Sequence, residues 1–449
     1  MRKIRKIALA LAMTVLLTGC NITGVDPQNL VRPPLPTGER EKIHQVLEAE
    51  TGRDYKLKYP QRGEYRSAII MHDMDGDGSS EAIALYQPSD GDGVTVMFIG
   101  ETGDTWKKIG SVTKTDVQID QICFGDVNSD GTDEAIVGWG NALNNTNEIT
   151  VYSCSGGELL EIATEQAYTE MVVMDFDGDG FEEIFTASLT NPNQQATARL
   201  FRISKNAVET MGTADMDATV TRYISVTAGL TNEDQYGVVL DGAKTSGSAA
   251  TYVTELIYWD EENNRLQNPF YDPNSFSANY MMRYTSVVST DINDDGVIEI
   301  PIVNTLPGYT VPAPDETCYV TNWHRYDSDE NILERKMSMV INSREGYWFL
   351  MPETWRDKVT VRSDFDARTM TFYEWIPASE ESQSGALGSA LLKIQVFTNA
   401  EWASAGESFE KLAEKDNLVY AVSIPQPEND LSLRLKDISN SFELMVSQE

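Results

Sequence analysis

Basic residues are scarce in this chain of 449 residues: Lys and Arg number 35 against 70 Asp and Glu, for a net charge of −35. Nucleic-acid binding rests on cations that neutralise phosphate, so this balance argues against a nucleic-acid partner and against adsorption of the body to anionic lipid. Histidine occurs three times, at His44, His72 and His324, and no G-x-S-x-G, H-E-x-x-H, P-loop or dinucleotide fingerprint is present. Their neighbours make His44 a polar-face helix residue, His72 a hydrogen-bonding flank of a loop, and His324 a strand-surface residue. Cysteine occurs four times. Cys123, Cys154 and Cys318 lack metal spacing and read as small buried thiols, with a Cys123–Cys154 bridge as the alternative. Long apolar runs are absent except at the N-terminus, so no transmembrane helix is expected in the body.

What the chain has instead is one nine-residue frame, written four times. Asp73-Met74-Asp75-Gly76-Asp77-Gly78-Ser79-Ser80-Glu81 returns as Asp126 to Glu134, as Asp175 to Glu183 and as Asp291 to Glu299. Side-chain oxygens at positions one, three and five converge on a point, a glycine at six turns the backbone, carbonyl seven joins them, and a glutamate closes the cage at nine. Such an oxygen set suits Ca²⁺. The expected ligands are Asp73, Asp75, Asp77, Ser79 and Glu81; Asp126, Asn128, Asp130, Thr132 and Glu134; Asp175, Asp177, Asp179, Phe181 and Glu183; and Asp291, Asn293, Asp295, Val297 and Glu299, with position seven contributing its backbone oxygen. An EF-hand would need a bidentate Glu at position twelve between two helices; here position twelve is Ala84, Val137, Thr186 or Ile302. Apolar, extended residues flank the loops, which are therefore expected to connect strands.

The frame resembles the calcium loop D-x-[DN]-x-D-G-x-x-[DE] of FG-GAP or VCBS repeats, found in bacterial surface proteins and the integrin α-chain head. Over about residues 62–345 the resemblance implies a β-propeller with Ca²⁺ held in the blade hairpins. The match rests on the loop and its spacing. Loop starts are separated by 53, 49 and 116 residues, so a unit without a loop is expected around 214–280, with strands near Tyr223–Val226 and Tyr236–Leu240. The expected fold is all-β dominated, a propeller of six or seven blades over 38–345, with an array of β-sandwiches as the alternative.

At the ends the pattern changes. Residues 1–19 combine a basic start, an apolar run and small residues, which is the order of a secretory signal peptide. Leu17-Thr18-Gly19-Cys20 looks like a bacterial lipobox, implying cleavage and lipidation at Cys20. The expected lipoprotein is anchored to the membrane, with its body outside the cytoplasm. Residues 20–37 form a Pro-rich tether, followed by a short helix with Ile43, Val46 and Leu47 on one face, Thr37 as cap and Gly52 as stop. Residues 346–449 hold further strands, such as Tyr347–Leu350 and Leu418–Ile424, and form a last blade or a small α+β appendage. A loop is expected over Pro377–Ser389. Leu431, Leu435, Ile438, Phe442 and Met445 at helical spacing predict a terminal helix capped by Asp430.

Two function classes follow. One is a non-catalytic module that binds a protein or polysaccharide. The other is a polysaccharide-processing enzyme, a glycoside hydrolase or lyase, since two acids at the right separation suffice for glycoside hydrolysis. The absence of a catalytic motif favours the first. Trp139, Trp259, Trp323, Trp348, Trp355 and Trp375 are read as packing residues before a sugar platform.

Overall fold

The computed structural model describes residues 38–445, apart from 53, 90, 104, 142–145, 155–156, 247–248, 381, 405–407 and 426–428. The signal peptide, Cys20, the tether and the Thr37 cap lie outside the described residues.

Alternating apolar segments produce a chain that is almost entirely β, with strands in six antiparallel sheets that follow one another in sequence. A helix, α1 (Glu39–Thr51), precedes the first sheet: β1 (Tyr55–Leu57), β2 (Ile69–His72), β3 (Glu81–Pro88), β4 (Val94–Thr102) and β5 (Thr105–Lys114). The second sheet is β6 (Gln118–Gly125), β7 (Glu134–Asn141), β8 (Thr146–Ser153) and β9 (Leu160–Tyr168). The third is β10 (Glu170–Met174), β11 (Glu183–Ser188), β12 (Thr197–Ser204) and β13 (Ala207–Asp215). The fourth is β14 (Val220–Leu230), β15 (Tyr236–Ser246), β16 (Ala249–Asp260) and β17 (Arg265–Gln267). The fifth is β18 (Ile300–Thr305), β19 (Tyr319–Asp327), β20 (Ile332–Asn342) and β21 (Tyr347–Leu350). The sixth is β22 (Val359–Asp364), β23 (Thr369–Ile376), β24 (Ala386–Thr398), β25 (Glu410–Lys415) and β26 (Leu418–Ser423), with a short helix α2 (Asn399–Trp402) between β24 and β25. Helix α3 (Leu435–Ser441) then leads to β27 (Phe442–Leu444), which returns to pair with β21 of the fifth sheet.

Tight hairpins carry the meander order. Between β12 and β13, Lys205 and Asn206 both have positive φ, 52° and 62°, the two-residue turn whose twist matches that of paired strands. The unit without a calcium frame is the fourth sheet, in line between the third and fifth.

Each sheet packs a face on the next, because both faces of the inner strands are apolar. In the first sheet Ile83, Leu85, Val96 and Phe98 meet Ile122, Val137 and Trp139 of the second. Ile136 and Val151 of the second turn the other way, onto Ile184 and Phe201 of the third. The third meets the fourth through Phe185, Leu200, Leu240 and Ile257, the fourth meets the fifth through Val239, Leu256, Ile300 and Tyr326, and the fifth meets the sixth through Phe349, Val361, Phe372 and Ile394. The outer face of the first sheet is covered by α1, whose Ile43 and Leu47 are fully buried against Ala82, Ala84, Met97 and Trp106. Helix α1 thus occupies the outer face of the first sheet.

Departures from the sequence expectations have local causes. The terminal helix is limited to α3, because Phe442 packs against Tyr347 and Tyr420, at centroid distances of 5.1 and 5.7 Å, while its backbone extends the edge of β21. The loop expected over Pro377–Ser389 is shorter, since β24 begins at Ala386. Gly38 stands at the N-cap of α1 with φ 71°, and Gly52 ends the helix with φ 74°.

Candidate functional site

All four carboxylate frames are tight loops of one backbone form. Positions four and six are left-handed in every copy: 71° and 87° at Gly76 and Gly78, 60° and 89° at Ser129 and Gly131, 74° and 91° at Gly178 and Gly180, 57° and 88° at Asp294 and Gly296. Sequence reasoning found the requirement at six and missed it at four, where glycine in the first and third copies was the signal. The carboxylate at position one accepts the N–H of position six, at 3.0, 2.8, 3.0 and 2.7 Å for Asp73, Asp126, Asp175 and Asp291. The carboxylate at position five accepts the N–H of position seven, which fixes Ser79, Thr132, Phe181 and Val297 in the turn.

The first and third loops each bring three carboxylates together. Oxygens of Asp73, Asp75 and Glu81 lie within 4.8 Å of one another, as do those of Asp175, Asp177 and Glu183. Glu81 and Glu183 each commit one oxygen to the N–H of position two, Met74 at 2.8 Å and Phe176 at 2.9 Å, which leaves the other for a ligand. In the second loop Asn128 Nδ2 donates to Glu134 Oε1 at 2.6 Å. Buried oxygens without a hydrogen-bond partner include Asp73 Oδ1, Asn128 Oδ1 and Glu134 Oε2. Burial, reinforced by neighbouring Asp130, pushes the Glu134 carboxyl up to about 8. Burial also pushes Glu183 up to about 8 against the lowering effect of the Phe176 N–H. Clustered, desolvated oxygens of this kind fit a hard divalent cation.

Position two, which sequence reasoning left without a role, anchors each of these loops. Met74 packs between the first and second sheets, Val127 between the second and third, and Phe176 between the third and fourth. Position eight links loop to loop. Glu182 of the third loop accepts the N–H of Asp126 at the start of the second, at 2.8 Å. Asp133 of the second meets His72 Nε2, just ahead of the first loop, at 2.7 Å, and the His72 ring stacks on Phe124 with centroids 3.9 Å apart.

The fourth loop departs from this plan. Among the described residues no strand directly precedes it; isolated bridges pair Thr290 with Glu299 and Leu230 with Val297. Its approach is held by buried side chains instead: Asp241 accepts the Ser289 N–H at 2.7 Å, and Arg283 donates to the Val287 carbonyl at 2.8 Å. Ile292 at position two is only half-buried. The guanidinium of Arg325 contacts both Glu299 and Asp295.

A polar cavity of about 550 Å³ lies between the fifth and sixth sheets, lined in part by Asn304, Asn322, His324, Arg335, Ser338 and Glu353. Asn322 donates to Asn304 Oδ1 at 2.9 Å and accepts from Ser338 Oγ at 2.6 Å. His324 is buried rather than on the strand surface; its Nδ1 meets the Asn322 carbonyl at 2.9 Å, and burial lowers its pKa. Arg335 pairs with Glu353 and holds that carboxyl below the usual range. Trp139, Trp259 and Trp355 are buried in the sheet interfaces, Trp323 is buried as well, and Trp348 and Trp375 are half-buried. Cys123, Cys154 and Cys318 are free thiols, and burial raises Cys123 to about 11 and Cys154 to about 12.

No family model matches the chain, and no curated protein matches it. Solved structures with partial likeness include the Nup133 β-propeller domain of Vanderwaltozyma polyspora, 10% identical over 75% of this chain and 98% of that one, with a TM-score of 0.30. A rhamnogalacturonan lyase is 10% identical over 84% of this chain and 92% of its own, with a TM-score of 0.28. An exo-β-1,3-galactanase of Phanerochaete chrysosporium is 8% identical over 79% and 81%, with a TM-score of 0.26. Likeness at this level carries no argument about this chain.

Proposed function

We propose that the protein is a calcium-stabilised, lipid-anchored extracytoplasmic module built of propeller-type blades, and that it binds a protein or polysaccharide without transforming it. The observation that carries this reading is the repeated cup: the first and third loops each draw three carboxylates together, and the first and second hold buried oxygens that lack a partner. Ca²⁺ in the first three loops would neutralise the carboxylates and pin the hairpins β2–β3, β6–β7 and β10–β11. With a dissociation constant on the order of 10⁻⁴ M, typical of extracellular modules, 1 mM Ca²⁺ contributes about 1.4 kcal/mol per site. Three sites give roughly 4 kcal/mol, a sizeable part of the 5–15 kcal/mol that holds most domains.

The cavity between the fifth and sixth sheets supports the binding reading over the catalytic one. Amide, hydroxyl and guanidinium groups there suit a neutral, hydroxyl-rich ligand such as the end of a sugar chain. A glycosidase acid needs a raised pKa, and Glu353, paired with Arg335, is shifted the other way. Incubation with labelled glycans, read for both retention and product, tests this directly. Retention without product that is lost in Asn322→Ala supports the module; turnover supports the enzyme. For the anchor, Cys20→Ser should release the protein from the membrane fraction, and an equally membrane-bound variant contradicts lipidation at Cys20.

A further inference from the structure

The four loops share a frame, yet one of them already contains a cation. The glutamate at position nine has two oxygens with separate duties. In the first and third loops one oxygen binds the position-two N–H and the other is left for a ligand. In the fourth, Glu299 Oε2 likewise accepts the Ile292 N–H at 3.1 Å, but Oε1 accepts from Arg325 Nε at 2.8 Å and Nη2 at 2.6 Å. The same Nη2 bonds Asp295 Oδ2, the position-five carboxylate. Glu299 is fully buried and the Arg325 side chain is 17% exposed, so the pair is shielded from competing water. Two of the expected ligands are therefore joined by a positive charge from the chain itself.

Register explains why this happens once. Pairing Ile300 with His324 carries the register on to set Arg325 directly across from Glu299. Equivalent pairings, Ala82 with Ile99, Ala135 with Tyr152 and Ile184 with Phe201, put Gly100, Ser153 and Arg202 at that position in the other sheets. Gly100 and Ser153 carry no charge. Arg202 turns instead to Glu209 on the next strand, at 3.5 Å. The corresponding neighbour of Arg325 is Glu334, which Lys336 engages at 2.6 Å, so Arg325 is directed into the loop.

We propose that Arg325 is the resident cation of the fourth loop, filling the place that Ca²⁺ takes in the first three, so that the chain carries three calcium sites and one that is permanently self-neutralised. This rests on the calcium reading for the role of the other loops, not for the Arg325 contacts. A guanidinium stays protonated at any physiological pH. The approach to the fifth sheet, and with it the wall of the cavity, is then braced whether or not Ca²⁺ is present, while the first three sheets depend on the ion.

Calorimetric Ca²⁺ titration of the full chain, its Asn293→Ala variant and its Arg325→Ala variant tests the assignment. Asn293→Ala should bind as many ions as the wild type, whereas Arg325→Ala, which frees a loop with the ligand set of the second, should bind one more; Arg325→Lys should add none. Loss of one ion in Asn293→Ala, or no gain in Arg325→Ala, overturns the proposal. If Arg325→Ala fails to fold, the Asn293→Ala count decides alone. A wild type that binds no Ca²⁺ beside an Arg325→Ala that binds one ion contradicts the calcium reading of the first three loops and leaves Arg325 assigned.

Discussion

Met74, Val127 and Phe176 make the carboxylate loops part of the core: each sits at position two of its loop and is buried between consecutive sheets. The proposed ion binding would therefore act on the same nine residues as sheet packing. Phe176→Ala should cost about 3–5 kcal/mol through the cavity it leaves, and it should weaken Ca²⁺ at the third loop as well. Urea unfolding with and without Ca²⁺ measures both effects. A second residue-scale device stands where the calcium frame is missing. In the fourth sheet Asp241, fully buried, accepts from Arg283 at 2.7 Å and from Thr254 at 2.5 Å, and Asp217 accepts from Lys244 at 2.6 Å. Arg283→Met leaves the Asp241 charge buried without a counter-charge, with an expected loss of roughly 3–5 kcal/mol. Pairing it with Asp241→Leu should recover most of that loss in the same denaturation experiment; no recovery would place the energy elsewhere than in the ion pair.

At the scale of elements, the first three loops form a row in which position eight of one reaches the start of the one before. Glu182 holds the Asp126 N–H, and a hydrogen bond to a charged acceptor is worth about 1.5–3 kcal/mol. Glu182→Ala should thus weaken Ca²⁺ at the second loop by about tenfold or more, although Glu182 is not a ligand of either cup. A titration in which only the third loop changes would contradict the linkage. Strand positions were largely legible in the sequence, because alternation and turn residues are local: β21 is found at the expected Tyr347–Leu350, and β14 and β15 surround the expected strands of the unit without a loop. The recurrence of the glutamate at position nine was legible as part of the frame. Arg325 was not, because it reaches Glu299 only through the pairing of β18 with β19, and register is a property of two strands rather than one. The C-terminal periodicity of Leu435, Ile438 and Phe442 misled for a related reason: the open edge of β21 competes for Phe442, and spacing alone does not reveal it.

On the scale of the whole molecule, the chain is a succession of six face-packed sheets, covered at its first face by α1, with the end of the chain tied back to the fifth sheet by β27. Carboxylates outnumber basic groups two to one, and several are concentrated in loops where repulsion opposes the fold. The account therefore requires an ion that binds the folded state and not the unfolded one. It also divides the molecule: the first three sheets should loosen without Ca²⁺, while the fifth and sixth, braced by Arg325 and by side chains such as Trp355, which is fully buried, should keep their amide protection. The most direct measurement is hydrogen exchange of the folded protein in 1 mM Ca²⁺ and in chelator, with melting curves taken on the same samples. The account predicts a lower melting temperature in chelator, little restored by Mg²⁺, with faster exchange confined to the strands on either side of the first three loops. Unchanged melting and unchanged exchange across those strands would mean that the four frames are ordinary turns, and would contradict it.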